Sequence, residues 1–218
     1  MSPRTPIALV TGFDAFGGED VNPSQQIAQA LHGQIIAGHR IVGAILPTQF
    51  AASLPELARL IAQHRPALVL ALGQAGGREG ISLERIAVNL IDARIPDNAC
   101  TQPVDVPVVE NAPNAYFSTL PIKAMLARLR AAGIPAALSQ TAGTFVCNQV
   151  FFGLMRLLAR RRHVRGGFVH VPYLPEQAAQ QAGAPDMALE TMLQAVRLCL
   201  DTALTTAADA HYAAGSLD

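Results

Sequence analysis

The sequence predicts an α/β fold in which helices cover both faces of a parallel sheet. Three short, continuously apolar runs have the character of buried strands, at residues 7–11, 41–46 and 66–72. Amphipathic helical patterns separate these runs, and alternating strands and helices are typical of a parallel sheet covered on both faces. Glycine-rich loops follow the first and third runs, as expected where such a sheet binds ligands.

Composition limits the class of protein. The chain has 218 residues, of which 50% are hydrophobic, so one globular domain spanning 1–218 is expected, with a short flexible tail from about residue 210. Sixteen basic and sixteen acidic side chains balance, which provides no attraction to nucleic acid or to a membrane surface. No apolar run approaches the ~20 residues of a membrane span. No signal peptide is visible.

The helices are predicted from their caps and apolar periodicity. Asn22 is a predicted N-cap with Pro23 at the first helical position. The second helix contains Pro55, which leaves its start open. Gly133 ends a helix predicted over residues 120–132, and the final amphipathic helix is predicted over about 187–207.

The remaining strands are weaker signals. Residues 83–90 alternate apolar and polar side chains, which predicts one half-exposed strand. Four prolines break the pattern between residues 91 and 120, which predicts a long loop or a small excursion. Short strands are expected at 136–139 and at 167–172.

Cys147 and His170 form a candidate nucleophile and base. Cys147 lies where a polar turn becomes an apolar helix, so unpartnered N–H groups and the helix dipole should make its thiol ionise more easily. His170 ends a buried strand at the carboxyl edge of the sheet. Cys147 should reach the same edge if strand 136–139 precedes its helix. The alternative is that both are ordinary buried core residues.

Such a pair needs a third group that orients the imidazole. Glu84 and Asp92 are the acidic candidates, and spacing does not choose between them. A solvent-facing Glu84 paired with Arg78 or Arg85 is the simpler alternative. The three cysteines are too few and too scattered for a disulfide framework or a zinc site, which favours a reducing, cytoplasmic location.

Two other classes of function stay open on the residues alone. The loop at 73–78 (GQAGGR) lacks the lysine of a P-loop, but its backbone could bind an anion. A phosphate-using α/β enzyme, such as a nucleoside phosphorylase, is therefore one alternative. A non-catalytic module that binds a small lactam or acyl group is the other.

The ordered motifs resemble those of pyroglutamyl peptidase type I, also called pyrrolidone-carboxylate peptidase. The matching stretches are 11–18 (TGFDAFGG) with 22–24 (NPS), 73–78 (GQAGGR), 84–89 (ERIAVN), 92–98 (DARIPDN), 142–148 (AGTFVCN) and 168–173 (FVHVPY). They cover most of the chain from Val10 to about Gln177. Ala15 stands where the family usually has proline, which removes no reactive group.

The resemblance implies an activity and a set of residue roles. It implies a single-domain, three-layer α/β/α sandwich around a mostly parallel, mixed sheet, and a cysteine exopeptidase that removes N-terminal pyroglutamyl residues through a thioacyl intermediate. Cys147 matches the nucleophile, His170 the base and acid, and Glu84 the orienting residue. It implies no metal or organic cofactor, a cytoplasmic location and a homo-oligomer, a tetramer or dimer. The implied substrate-binding residues are Phe13, Phe16, Gln74, Arg94, Ile95, Phe145 and Val146.

Overall fold

A central sheet of seven strands organises the computed structural model, which describes residues 5–161 and 163–215. The strands are β1 (Ile7–Phe13), β2 (Ile35–Ile36), β3 (His39–Leu46), β4 (Leu68–Gln74), β5 (Ile81–Glu84), β6 (Ile86–Val88), β7 (Ala115–Phe117), β8 (Ala136–Ser139) and β9 (Arg165–Val171). The helices are α1 (Pro23–Leu31), α2 (Phe50–His64), α3 (Ile122–Ala131), α4 (Val146–Leu158), α5 (Pro175–Ala178) and α6 (Leu189–Thr205).

The sheet is mixed, with the order β2-β3-β1-β4-β9-β5-β8. Strands β3, β1, β4 and β9 are parallel, and β2 pairs antiparallel with β3. Strand β5 pairs antiparallel with β9 and parallel with β8. The carboxyl ends of β1, β4 and β9 therefore meet at one edge, as the alternating pattern predicts.

Helices cover both faces of the sheet, so the expected α/β sandwich is confirmed. Apolar side chains of α1, α3 and α6 form the core on one face, and those of α2 and α4 form it on the other. Strand β4 serves both cores, since Leu68, Leu70 and Leu72 face one and Val69 and Ala71 face the other. This double burial explains why the strand has an uninterrupted apolar sequence.

The predicted half-exposed strand at 83–90 is wrong. It is two strands, β5 in the main sheet and β6 in a separate two-stranded sheet with β7. All four residues of β5 are buried. Glu84 is 0% exposed, which also rules out the solvent-facing alternative for it. A similar difference concerns Gly73 and Gln74, which continue β4 instead of starting the loop after it.

Helix boundaries follow local chemistry closely. The Asn22 side chain accepts the Ser24 N–H at 3.0 Å, with Pro23 in the first turn, as predicted. Pro55 lies inside α2, which starts at Phe50. Gly133 follows α3 with φ of 71°, a left-handed conformation that glycine adopts without a Cβ penalty.

The chain after α6 is hydrogen-bonded to α3, while the flexible tail from about residue 210 stays a prediction. The Asp209 carboxylate accepts the N–H groups of Lys123 and Ala124, at 3.2 and 2.9 Å. The Tyr212 hydroxyl donates to the Lys123 carbonyl at 2.7 Å. Residues 216–218 lie outside the described range. Within that range no helix combines the length and apolarity that crossing a bilayer requires.

Candidate active site

A cavity of about 320 Å³ opens at the sheet edge where β4 and β9 end. It is lined by Phe16, Gln74, Ala75, Arg78, Asp92, Arg94, Ile95, residues 142–145, Cys147 and His170. The predicted nucleophile and base therefore share one cavity with most of the predicted substrate-binding residues.

Cys147 is the second residue of α4, at the helix start that the sequence predicts. The first N–H groups of a helix have no intrahelical acceptor, and Phe145 at the N-cap supplies no side-chain acceptor. The thiol lies against β4, since a Cβ added at Gly73 would be 2.8 Å from Cys147 Sγ. Glycine at this position leaves the space that the sulfur occupies.

The route by which the chain reaches this cavity differs from the prediction. Strand β8 does precede α4, but it runs antiparallel to β9, away from the edge where β4 and β9 end. Residues 140–145 lead back to that edge, and 142–145 line the cavity. This connection is held by Thr144, whose hydroxyl donates to the Asp92 carbonyl at 2.8 Å.

His170 is oriented by Glu84, which decides between the two acidic candidates. His170 Nδ1 lies 2.7 Å from Glu84 Oε1, and both side chains are buried. Because an ionised carboxylate only accepts, Nδ1 carries the proton and donates it. Asp92 lines the cavity instead, with its backbone bonded to Thr144.

Arg78 completes this group and was not predicted as a site residue. Its guanidinium donates to Glu84 Oε1 at 2.6 Å and to the Thr141 carbonyl at 3.0 Å. Its side chain is 28% exposed and lines the cavity. The sequence signal for Arg78 is its place in the glycine loop after β4, which is one of the motifs shared with the family.

The electrostatics keep Glu84 ionised. Burial raises the pKa of Glu84, but the hydrogen bond and charge of His170, with help from Ser139 and Arg78, outweigh it and leave the pKa below its ordinary value. Glu84 therefore acts as a fixed acceptor for the imidazole N–H.

The expectation of an easily ionised thiol is wrong for the free protein. Burial raises the pKa of Cys147 to about 12, and the negative charge of Glu84 adds to this, while Arg78 and the Cys147 N–H oppose it. The helix start favours the thiolate as predicted, but desolvation is larger. Cys147 is a neutral thiol that needs a base.

In the described part of the chain, Cys147 and His170 line the same cavity but are not hydrogen-bonded to each other. With Nδ1 committed to Glu84, Nε2 is the imidazole nitrogen that remains to accept a proton. Catalytic hydrogen bonds in unliganded sites are often long and shorten in the complex with substrate.

The cavity has an apolar wall made by aromatic rings. Phe145 packs against Phe16, with ring centroids 6.0 Å apart, and edge-on against Phe50 at 5.2 Å. Ile95 lies beside them in the cavity lining. Phe50 was not predicted as a site residue, because only its place at the start of α2 brings it behind Phe145.

Two predicted pocket residues do not line the cavity. Phe13 and Val146 are 2% and 1% exposed and belong to the core between the sheet and α4. Phe13 packs against Phe168, with ring centroids 6.5 Å apart. Both residues support the site from behind, because strand and helix periodicity turns their side chains into the core.

Metal ligands are not clustered in this part of the molecule. Within the described residues no three His, Cys, Asp or Glu side chains come close enough to hold a metal ion. The ionisable groups that line the cavity are a thiol, an imidazole that is hydrogen-bonded to a buried carboxylate, two arginines and the carboxylate of Asp92.

Known proteins are similar to this chain in sequence and in fold. The family model for pyroglutamyl peptidase matches residues 7–206. A pyrrolidone-carboxylate peptidase of Cupriavidus taiwanensis is 52% identical, covering 97% of this chain and 99% of its own. One from Escherichia fergusonii is 53% identical, covering 95% and 97%.

Solved structures agree with the sequence relatives. The crystal structure of pyroglutamyl peptidase I from Bacillus amyloliquefaciens has a TM-score of 0.93 at 44% identity, covering 95% of this chain and 99% of that one. A mutant pyrrolidone carboxyl peptidase from Pyrococcus furiosus has a TM-score of 0.90 at 41% identity, covering 92% and 99%. The resemblance seen in the motifs is thus confirmed, and the chain belongs to the pyroglutamyl peptidase family of cysteine peptidases.

Proposed function

We propose that this protein hydrolyses the bond after an N-terminal pyroglutamyl residue, with Cys147 as nucleophile, His170 as base and acid, and Glu84 as the residue that orients His170. The observation that carries the proposal is the buried 2.7 Å hydrogen bond between His170 and Glu84, at the cavity that also holds Cys147. This is the nucleophile, base and orienting-group arrangement of covalent catalysis.

Acylation starts from a neutral pair. Because the pKa of Cys147 is raised to about 12, its proton passes to His170 Nε2 as Sγ attacks the scissile carbonyl carbon. The imidazolium that forms is stabilised by ionised Glu84. His170 then gives the proton to the leaving amine, the C–N bond breaks, and a thioester links the pyroglutamyl group to Cys147.

Deacylation reverses the roles with water. His170 Nε2 accepts a proton from water, whose oxygen attacks the thioester carbonyl. The C–S bond breaks, Sγ regains a proton from His170, and free pyroglutamate leaves. In both steps the backbone N–H of Cys147, which lies at the start of α4 without an intrahelical acceptor, would donate to the carbonyl oxygen that becomes negative.

The cavity favours a compact, uncharged N-terminus. Phe16, Ile95 and Phe145 provide an apolar wall for ring methylenes. A free α-ammonium would lose its hydration against this apolar wall, and the charges that line the cavity are of both signs, with Asp92 beside Arg78 and Arg94. Cyclisation of the N-terminal residue removes that charge.

Location and assembly belong to the same proposal. A cytoplasmic, reducing location would keep Cys147 as a free thiol, and all three cysteines are unpaired. A homo-oligomer, a tetramer or dimer, would bury exposed apolar side chains such as Phe117, which is 65% exposed.

The test is release of a fluorescent amine from a pyroglutamyl amide. We expect turnover by the wild type and by Cys100→Ser, which changes an exposed cysteine outside the cavity. Cys147→Ser should lose at least about 10³-fold in kcat, because the hydroxyl is a poorer nucleophile in a site built around sulfur.

Each other outcome has a defined meaning. Full turnover by Cys147→Ser would remove the nucleophile assignment, and dependence of turnover on phosphate would favour the phosphorylase-like alternative. A wild type that is stabilised by pyroglutamate but releases no amine would be a binding module.

A further inference from the structure

Gln177 on α5 is a buried amide whose orientation is set by backbone groups at both ends. It is 2% exposed. Its Oε1 lies 3.0 Å from the Leu174 N–H, and its Nε2 lies 3.2 Å from the Val21 carbonyl oxygen. A backbone N–H can only donate and a carbonyl can only accept, so the two ends of this amide cannot be exchanged.

The same Nε2 determines the orientation of Gln74 in the cavity. Gln177 Nε2 is 3.1 Å from the facing atom of the Gln74 amide and 3.2 Å from both Glu19 Oε2 and the Val21 carbonyl oxygen, so its two hydrogens are shared among three acceptors. Since Gln177 presents a donor there, Gln74 must present its carbonyl oxygen, Oε1. The NH₂ group of Gln74 is therefore directed away from Gln177.

The NH₂ group of Gln74 is not used in the hydrogen bond between the two amides. Within residues 5–161 and 163–215, Gln74 Nε2 has no hydrogen-bond partner. It is also absent from the side-chain atoms there that are both fully buried and unpartnered. It therefore keeps access to solvent, and Gln74 lines the cavity. It follows Gly73, whose added Cβ would be 2.8 Å from Cys147 Sγ, so it lies beside the nucleophile.

We propose that Gln177 is a positioning residue: it holds the amide of Gln74, a substrate-binding residue by the family resemblance, so that Nε2 is directed as a hydrogen-bond donor toward the ring carbonyl oxygen of the pyroglutamyl group. This inference rests on the proposed function. In the proposed mechanism the Cys147 N–H donates to the scissile carbonyl oxygen, and the ring carbonyl is a second acceptor that needs a partner.

The arrangement adds a basis for specificity. A prolyl N-terminus has a similar ring but lacks the ring carbonyl, so it would leave the Gln74 donor unpaired in a largely buried place. With its amide reversed, Gln74 would turn an oxygen toward the ring carbonyl and repel it. Gln177 prevents that reversal from 103 residues away in the chain.

The experiment is a double-mutant cycle with steady-state kinetics on a pyroglutamyl amide. Gln177→Met should raise KM about tenfold, the size of one neutral hydrogen bond, with kcat within about twofold of wild type. In a Gln74→Met background the same change should alter KM by less than about twofold, because Gln177 acts through Gln74.

Gln181→Met is the matched control. Gln181 and Gln177 both donate to the Glu19 carboxylate, each at 3.2 Å, but Gln181 does not contact Gln74. The control should keep the wild-type KM. The rate of Cys147 alkylation by iodoacetamide reports in each variant whether the site is still folded.

A second variant keeps the inference testable if Gln177→Met does not fold. Gln74→Glu retains an acceptor toward Gln177 and replaces the donor with an oxygen, so KM should rise at least about 100-fold. An unchanged KM in Gln74→Glu, an equal effect of Gln177→Met in both backgrounds, or a loss confined to kcat would overturn the inference. Absence of wild-type turnover would instead refute the proposed function.

Discussion

Replacing Glu84 by glutamine removes a charge from the buried centre of the site and changes little else. Glu84 Oε1 accepts hydrogen bonds from His170 at 2.7 Å and from Arg78 at 2.6 Å. A glutamine oxygen could accept both, so packing is retained. The imidazolium that forms during acylation would no longer face a negative charge.

The size of the effect follows from that role. Loss of charge at the orienting residue of a peptidase triad costs up to about 10⁴ in kcat, and here Arg78 shares the same oxygen, so we expect a loss of about 10² to 10⁴. This corresponds to about 2.7–5.4 kcal/mol of transition-state stabilisation. KM should change by less than about threefold, because Glu84 does not line the cavity.

The assay is amine release at pH 7.5 by purified wild type, Glu84→Gln and Glu79→Gln. Glu79 is an exposed acid in the preceding loop, so its variant makes the same charge change outside the site. If Glu84→Gln retained kcat within about threefold of wild type, His170 would not need Glu84 and the assigned role would be refuted.

The difference in stability between wild type and Glu84→Gln should depend on pH. The folded pKa of Glu84 lies below its ordinary value of 4.5. The extra stability of wild type over Glu84→Gln is therefore present above about pH 4.5 and is lost as pH falls through the folded pKa. Denaturant unfolding at pH 7 and pH 3 measures it, and an advantage that grows toward acid pH would contradict the sign.

Three further predictions concern the thiol, its space and a distant helix end. The alkylation rate of Cys147 in the free protein should still rise with pH above pH 9, because the pKa of the thiol is raised to about 12. Peptide mass spectrometry measures this rate, and a plateau below pH 8 would indicate a preformed thiolate. Gly73→Ala should lower both kcat, at least about tenfold, and the free energy of unfolding, because the new Cβ would be 2.8 Å from both Cys147 Sγ and the buried Phe168 ring. Wild-type kcat and stability would show that both neighbours can move freely. Asp209→Ala should lower the free energy of unfolding by about 1 kcal/mol, as for loss of a helix cap. The reason is that the Asp209 carboxylate accepts hydrogen bonds from the N–H groups of Lys123 and Ala124 at the start of α3. Unchanged stability would mean that this link is not formed in solution.

Much of the fold could be predicted from the sequence, because the signals are local. The Asn22 and Pro23 cap predicted the start of α1, and Gly133 predicted the end of α3. The buried strands followed from short apolar runs, and the carboxyl-edge rule placed His170 correctly. The prediction of one strand at 83–90 was wrong because burial and direction there depend on the partner strand, which is β9 for β5 and β7 for β6.

The sequence by itself determined the fold class, the family and the position of Cys147 at a helix start, since composition, periodicity and ordered motifs lie along the chain. Only the tertiary structure decided that Glu84, not Asp92, bonds His170, because residues 86 positions apart meet through sheet pairing. It also decided that Cys147 is a neutral thiol, because desolvation depends on everything packed around the sulfur. The link from Gln177 to Gln74 belongs to the same class, since an amide has no orientation until its neighbours impose one.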